Sequence, residues 1–164
     1  MDPSTALFAG LPKRLLAAGD ELVVEGQGST GQLFVLVSGG LEVIKNGDTV
    51  IATIAKPGAF VGEMALLLGI PHTATVRAIR PTTCCVIQKG ESYLRSHPEL
   101  LLAVARMLAE RLHSATAYLA DIKRQYSGGA ASLAVVDQVL DALLHHHQSD
   151  EFEPGSDRDV EPCD

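Results

Sequence analysis

Tryptophan is absent from this chain, and its 164 residues include only 3 tyrosines and 4 phenylalanines. Since 46% of the residues are nevertheless apolar, a core has to be built from aliphatic side chains. No apolar run approaches the roughly 18–20 residues that span a bilayer, and the first residues lack a basic segment followed by an apolar block. We therefore expect one aliphatic domain with extensions, without a membrane span or a signal peptide.

Cysteine is also scarce, and the 3 cysteines show no regular spacing. Cys84 and Cys85 are adjacent in an apolar segment that is typical of a strand. Neighbouring strand residues point to opposite faces, so these two thiols cannot easily pair. An odd number of cysteines without a framework indicates a reducing, cytoplasmic compartment and predicts no metal site.

Basic residues are outnumbered, with 13 Lys and Arg against 20 Asp and Glu. The imbalance is concentrated in residues 149–164, where seven acidic residues and one arginine give −6 of the net charge of −7. The rest of the chain carries about −1 by subtraction, so we expect no basic nucleic-acid-binding face. High charge without an apolar pattern predicts that the tail is disordered.

The first half of the chain alternates short apolar segments with turn signals, which is typical of an all-β sandwich or roll. Asn46-Gly47 is a strong tight-hairpin signal, because both residues tolerate positive φ. Residues 4–16 have a helical spacing of apolar residues and predict short helical turns. The predicted strands are Glu21–Glu25, Gln32–Val37, Gly40–Lys45, Thr49–Ala55, His72–Ile79 and Thr83–Gln88.

A long helix is predicted from about Pro98 to Tyr126, with Ser96 as a possible cap. Its apolar residues are spaced alternately by four and three, which is a heptad seam and favours a parallel helix-to-helix homodimer. The alternative is a helix that packs only on its own domain. The seam consists of Leu101, Ala105, Leu108, Leu112, Ala115, Leu119, Ile122 and Tyr126.

A second amphipathic helix is predicted over residues 131–147. It is too short to be stable alone, so it should dock on the body, on a second subunit or on a partner. The run His145-His146-His147 points its imidazoles in different directions and predicts no metal site. The expected organisation is therefore a domain over 1–126, an added helix within 127–148 and the acidic tail over 149–164.

Two glycines, Gly62 and Gly69, bracket an apolar run that is too short for an ordinary helix. A glycine followed by a single helical turn directs several backbone N–H groups toward one point, where an anion is favoured. Glu63 is acidic and is therefore not expected to be a phosphate ligand, but its carboxylate can accept a hydrogen bond from a sugar hydroxyl.

This segment resembles the phosphate-binding cassette of the cyclic nucleotide-binding domain family, whose pattern is Phe-Gly-Glu-aliphatic-Ala-Leu, a variable stretch and Arg-x-Ala-x-Val-x-Ala. The resemblance covers about residues 15–126. It implies an antiparallel, jelly-roll-like β-roll of about eight strands, flanked by short helices and a long C-terminal helix, and a ligand such as cAMP or cGMP. The matching segments are Phe60-Val61-Gly62-Glu63-Met64-Ala65-Leu66 and His72-Thr73-Ala74-Thr75-Val76-Arg77-Ala78.

The resemblance also assigns roles to residues. Glu63 would bind the sugar 2′-hydroxyl, Thr73 and Ala74 would bind the phosphate, and Thr116 on the long helix would face the purine. The full set of predicted ligand-binding residues is Val61, Gly62, Glu63, Met64, Ala65, His72, Thr73, Ala74 and Thr116.

His72 occupies the position of the family's arginine. An imidazole is shorter, has at most two donors and is mostly neutral at pH 7. Losing a charged hydrogen bond of roughly 1.5–3 kcal/mol would weaken binding by about ten- to a hundred-fold or more. The substitution therefore predicts a retained but altered phosphate site, or a pocket that has lost its nucleotide.

Three functions remain open at this stage. The first is a cytosolic sensor that signals through its C-terminal helices to a dimer interface or a protein partner; the second is a nucleotide-free dimerisation or interaction module. The third, a metal-dependent β-roll enzyme, is disfavoured because His72, His97 and His113 are not grouped on predicted inner strands. Direct DNA binding is not expected, because no recognition helix or basic face follows Tyr126.

Overall fold

The computed structural model of the protein describes Phe8 and residues 10–125 and 130–145. Within these residues, eight strands and four helices confirm the predicted antiparallel β-roll with a long C-terminal helix. The strands are β1 (Lys13–Leu16), β2 (Glu21–Val23), β3 (Leu33–Ser38), β4 (Leu41–Lys45), β5 (Thr49–Ile54), β6 (Phe60–Val61), β7 (Thr75–Ala78) and β8 (Thr82–Ile87). The helices are α1 (Glu63–Leu68), α2 (Gly90–Ser96), α3 (Pro98–Gln125) and α4 (Ala130–His145).

The strands form two four-stranded antiparallel sheets. The first has the order β1-β8-β3-β6 and the second the order β2-β7-β4-β5. The hairpin between β4 and β5 turns at Asn46 and Gly47, both at positive φ (55° and 90°), as the Asn-Gly signal predicts.

Two apolar cores lie on opposite faces of the first sheet. On β3, Phe34 and Leu36 belong to the core between the sheets, whereas Leu33 and Val35 belong to the core beneath the helices. The continuous apolar run of β3 follows from this arrangement, because successive strand residues alternate between faces and both faces are covered.

The adjacent thiols divide between the two cores. Cys84 lies in the core between the sheets and Cys85 in the core beneath the helices. Both are free, as their opposite directions predict. Burial raises the pKa of Cys84 to about 11 and also raises the pKa of Cys85. Both thiols are therefore held in the protonated, unreactive form near neutral pH.

The prediction of helical turns throughout residues 4–16 is wrong at its end, where Lys13–Leu16 form strand β1. This strand pairs with β8 through Arg14 opposite Cys84 and Leu16 opposite Thr82. Only Leu16 of this strand is buried. The segment therefore lacks the alternation of apolar and polar residues that marks a strand, and pairing with β8 determines its conformation.

Two further boundaries differ from the predictions. Strand β7 begins at Thr75 rather than at His72, and the short strand β6, which the pattern did not reveal, pairs with β3. Ser96 is not a cap of the long helix, because it is the last residue of α2 and its hydroxyl donates to the Ser92 carbonyl at 3.0 Å.

Contacts within the chain divide it into two compact units, Met1–Leu108 and Ala109–Asp164. In the first unit, the start of α3 covers the first sheet with the buried residues Leu100 and Val104. In the second unit, Lys123 of α3 forms an ion pair with Asp137 of α4. Among the described residues, no helix is long and apolar enough to cross a membrane.

Candidate functional site

The glycine-bracketed segment forms one continuous turn of backbone from β6 through α1. Phe60 and Val61 are buried, and Val61 pairs with Phe34 on β3. Gly62 then adopts φ +91°, and Gly69 ends the helix at φ +64°. A Cβ on Gly62 would meet only ordinary contacts, so the positive φ is what requires glycine here.

Helix α1 begins with three amides that precede its first helical hydrogen bond. The Leu66 N–H donates to the Gly62 carbonyl at 3.1 Å and forms the first helical bond. The preceding amides of Glu63, Met64 and Ala65 therefore have no acceptor within the helix. Ala65 is buried and Leu66 packs on the core beneath the helices, so this short turn is fixed on the body rather than by its own length.

Glu63, the first residue of α1, is only 4% exposed. Carboxylates are seldom buried to this degree without a specific reason. Its position at the helix start is favourable, because the positive end of the helix dipole lies there. The structure thus places an acceptor group inside the body beside the amides that would attract an anion.

His72 lies beside Gly62. Its Cε1 is 3.8 Å from the position of a Cβ built on that glycine, and the residue is 9% exposed. The loop after β2 holds its backbone, because His72 N–H donates to the Gln27 carbonyl and Gly26 N–H donates to the His72 carbonyl, both at 2.8 Å. Burial lowers the pKa of His72 and so favours the neutral imidazole at pH 7.

Thr73 and Ala74 follow His72 and are partly exposed. The Lys45 ammonium, at the end of β4, donates to the Thr73 carbonyl. Lys45 is also 3.4 Å from the Glu25 carboxylate. The next turn of the loop is tied down as well, since Glu25 N–H donates to the Thr75 hydroxyl at 2.9 Å.

The sequence model of the cyclic nucleotide-binding domain matches residues 13–93, which include both sheets, the glycine-bracketed turn and His72. This part of the chain belongs to the cyclic nucleotide-binding domain family. The regulatory subunit of cAMP-dependent protein kinase from Yarrowia lipolytica is 38% identical over 73 residues, which are 44% of this chain and 19% of that subunit.

Two other similarities cover different shares of this chain and of the relative. Patatin-like phospholipase domain-containing protein 6 from Homo sapiens is 35% identical over 72 residues, 43% of this chain but 5% of that protein. The match lies in one small part of a much longer relative. The catabolite activator protein of Thermus thermophilus has a TM-score of 0.59 at 21% identity, over 88% of this chain and 82% of that one, and so shows the shared fold.

In this cyclic nucleotide-binding domain the predicted ligand residues from Val61 to Ala65 and from His72 to Ala74 belong to the first compact unit, and Gly62 and His72 are adjacent. Thr116 belongs to the second unit, where its hydroxyl donates to the Leu112 carbonyl. Its role toward a purine stays a prediction.

Lys45 and Glu25 contact the candidate site and were not revealed by the sequence. Their contacts join positions 28 and 50 residues apart, and no local pattern marks such pairs. The tight hairpin at Asn46 was the available signal, because it places Lys45 at the end of β4. Within the described residues, no group of three His, Cys, Asp or Glu side chains could hold a metal ion.

Proposed function

We propose that the domain is a regulatory sensor that binds cAMP or cGMP in the cassette formed by β6, α1 and residues 72–74. The observation that carries the proposal is the buried Glu63 at the start of α1, directly after Gly62, beside which His72 lies. Membership of the family supports a cyclic nucleotide as the ligand class.

Each part of the ligand has a matching group in this arrangement. The cyclic phosphate would accept hydrogen bonds from the amides of α1 and Ala74 and from the Thr73 hydroxyl. The Glu63 carboxylate would accept the ribose 2′-hydroxyl. Val61 and Met64 would contribute through the backbone, with the Val61 side chain anchoring the turn in the core.

A calorimetric titration with cAMP and with cGMP tests the proposal, with linear 5′-AMP as the control ligand. Dissociation constants in the micromolar range or below for a cyclic nucleotide, and much weaker binding of 5′-AMP, are expected. Absence of heat with both cyclic nucleotides at millimolar concentration would reject the proposal.

Binding should depend on pH through His72. Burial lowers the pKa of the free imidazole, whereas a bound phosphate would raise it, because an opposite charge favours the protonated form. Binding therefore takes up a proton, and affinity rises as pH falls between the pKa of the complex and that of the free protein, by up to about tenfold per pH unit. We expect tighter binding at pH 6 than at pH 8 by calorimetry.

The His72→Gln variant is the control for this experiment, since its amide keeps a donor but does not titrate in this range. Its affinity should be the same at both pH values. If the affinity of the wild type is also the same at both pH values, the imidazole does not contact the phosphate.

The output of the sensor would pass through α3 to a homodimer. Helix α3 turns Leu100 and Val104 toward its own domain, while Leu101 and Leu112 of the heptad seam are 42% and 45% exposed. Leu108 is shared, because it also packs against the core beneath the helices. An exposed apolar stripe beside the buried face supports a partner for this helix.

Leu112→Glu should dissociate this dimer, because it places a carboxylate in the centre of the seam. Analytical ultracentrifugation should give the monomer mass for this variant and the dimer mass for the wild type. Ala117→Glu is the matched control, since Ala117 lies on the opposite side of the heptad and is exposed. A dimeric Leu112→Glu protein would show that another interface dominates.

The proposal also includes a cytoplasmic location, which suits the unpaired Cys84 and Cys85, and a protein partner rather than DNA as the alternative receiver of the signal. Tyr126, the last residue of the seam, and residues 146–164 lie outside the described residues.

A nucleotide-free interaction module is the second candidate. It is favoured by one observation, the buried imidazole at the position of the family's arginine, whose pKa is lowered by that burial. The two candidates differ in the titration above, while both require the dimer seam.

A further inference from the structure

Lys45 is an additional cation beside the cassette. Its ammonium donates to the Thr73 carbonyl and lies 3.4 Å from the Glu25 carboxylate. Glu25 is itself held by the Asn46 N–H at 2.8 Å. The Lys45 side chain is 42% exposed, so its charge is neither removed from solvent nor left to move freely.

These contacts replace a part of the sheet. Strands β4 and β7 are paired up to Ile44 opposite Thr75. Two residues further along each strand in the same register, the Asn46 N–H and the Thr73 carbonyl would meet. The Asn46 N–H instead donates to Glu25, and the Lys45 ammonium takes its place on the Thr73 carbonyl. A charged side chain therefore ends this ladder where a backbone amide would ordinarily do so.

The bond to Thr73 acts on the next residue through the peptide plane. The Thr73 carbonyl and the Ala74 N–H belong to one planar trans peptide, in which the two groups point in opposite directions. Fixing the carbonyl toward β4 therefore fixes the amide on the other side. A cation on the oxygen also polarises the peptide and makes the N–H a stronger donor.

We propose that Lys45 is a positioning residue of the cassette, which holds and polarises the Thr73–Ala74 peptide so that the Ala74 N–H binds an anionic ligand. The inference rests on the proposed function for the identity of that anion, a cyclic phosphodiester. It also places an ammonium group, paired with the Glu25 carboxylate, on the carbonyl of the residue after His72, where the family's arginine is missing.

The test has one arm without ligand and one with it. In the ligand-free protein, Lys45→Met should move the Ala74 amide proton resonance upfield in a ¹H–¹⁵N spectrum, because the polarising cation is gone. In calorimetric titrations with cAMP and cGMP, the same variant should bind about tenfold more weakly than the wild type. Lys45→Arg, which keeps a cationic donor, should restore both values.

Lys56→Met is the matched control, since it removes the same charge from an exposed position in the turn after β5. It should leave both the Ala74 resonance and the affinity unchanged. An Ala74 resonance or an affinity that is the same in Lys45→Met and the wild type would overturn the inference. If the wild type binds neither nucleotide, the proposed function fails, and the ligand-free spectrum alone decides the role of Lys45.

Discussion

His72→Arg is expected to bind cyclic nucleotides about ten- to a hundred-fold more tightly than the wild type. Burial lowers the pKa of the imidazole, so in the ligand-free wild type at pH 7 burial disfavours the positive charge that would attract a phosphate. An arginine is always charged and can hold a phosphate through two parallel hydrogen bonds. Its longer side chain starts from a backbone that Gly26 and Gln27 hold in place, which keeps the direction of the group.

Titration of the wild type, His72→Arg and His72→Gln by calorimetry at pH 7 measures this gain. The glutamine variant controls for size and hydrogen bonding without charge, and should stay within a few-fold of the wild type. The affinity of His72→Arg should also be independent of pH between 6 and 8, because the guanidinium does not titrate in this range. Equal affinity of the arginine and glutamine variants would mean that no charged group at this position reaches the phosphate.

Gly39→Ala should destabilise the fold by about 3 kcal/mol or more. Gly39 has φ +102°, and a Cβ there would lie 2.4 Å from the Thr82 hydroxyl oxygen and 2.6 Å from the Pro81 carbonyl oxygen. The neighbouring backbone cannot withdraw without loss, because Gly40 N–H donates to the buried Thr82 hydroxyl at 3.0 Å. Urea unfolding followed by circular dichroism measures the change.

Gly19→Ala separates the two causes of that loss. Gly19 has nearly the same backbone conformation, with φ +94°, but nothing lies within 4 Å of its added Cβ. The free energy of unfolding of Gly19→Ala should fall only by the cost of the positive φ, about 1–2 kcal/mol. Equal losses in the two variants would show that the close approach of Gly39 to Thr82 is relieved by a shift of the chain.

Much of the roll could be predicted because its strands carry local signals. Strand β4 and the Asn46-Gly47 turn follow from alternation and turn chemistry, and α3 follows from its heptad spacing. Strand β1 could not be predicted in this way, because three of its four residues are exposed. Its conformation depends on pairing with β8, about 70 residues away in sequence, and such pairing leaves no local pattern.

The candidate site shows the same division. The glycines of the cassette could be named because its turn needs positive φ at fixed places. Glu63 and His72 could be named because they occupy fixed positions in the family's short sequence pattern. The burial of His72 and the contact of Lys45 with Thr73 could not, because they depend on how the loop after β2 and the hairpin after β4 come together. The depressed pKa of His72 is a consequence of that assembly.

Strands β3 and β8 separate the two cores, and each strand contributes side chains to both. On β8, for example, Cys84 belongs to one core and Cys85 to the other. A slip of either strand by one residue would exchange every side chain between the two cores. Both faces are covered by apolar side chains of different shape, so such a slip would disrupt both cores at once. The register of β3 and β8 is therefore fixed, and any rearrangement that accompanies ligand binding has to take place in the helices and loops around these strands.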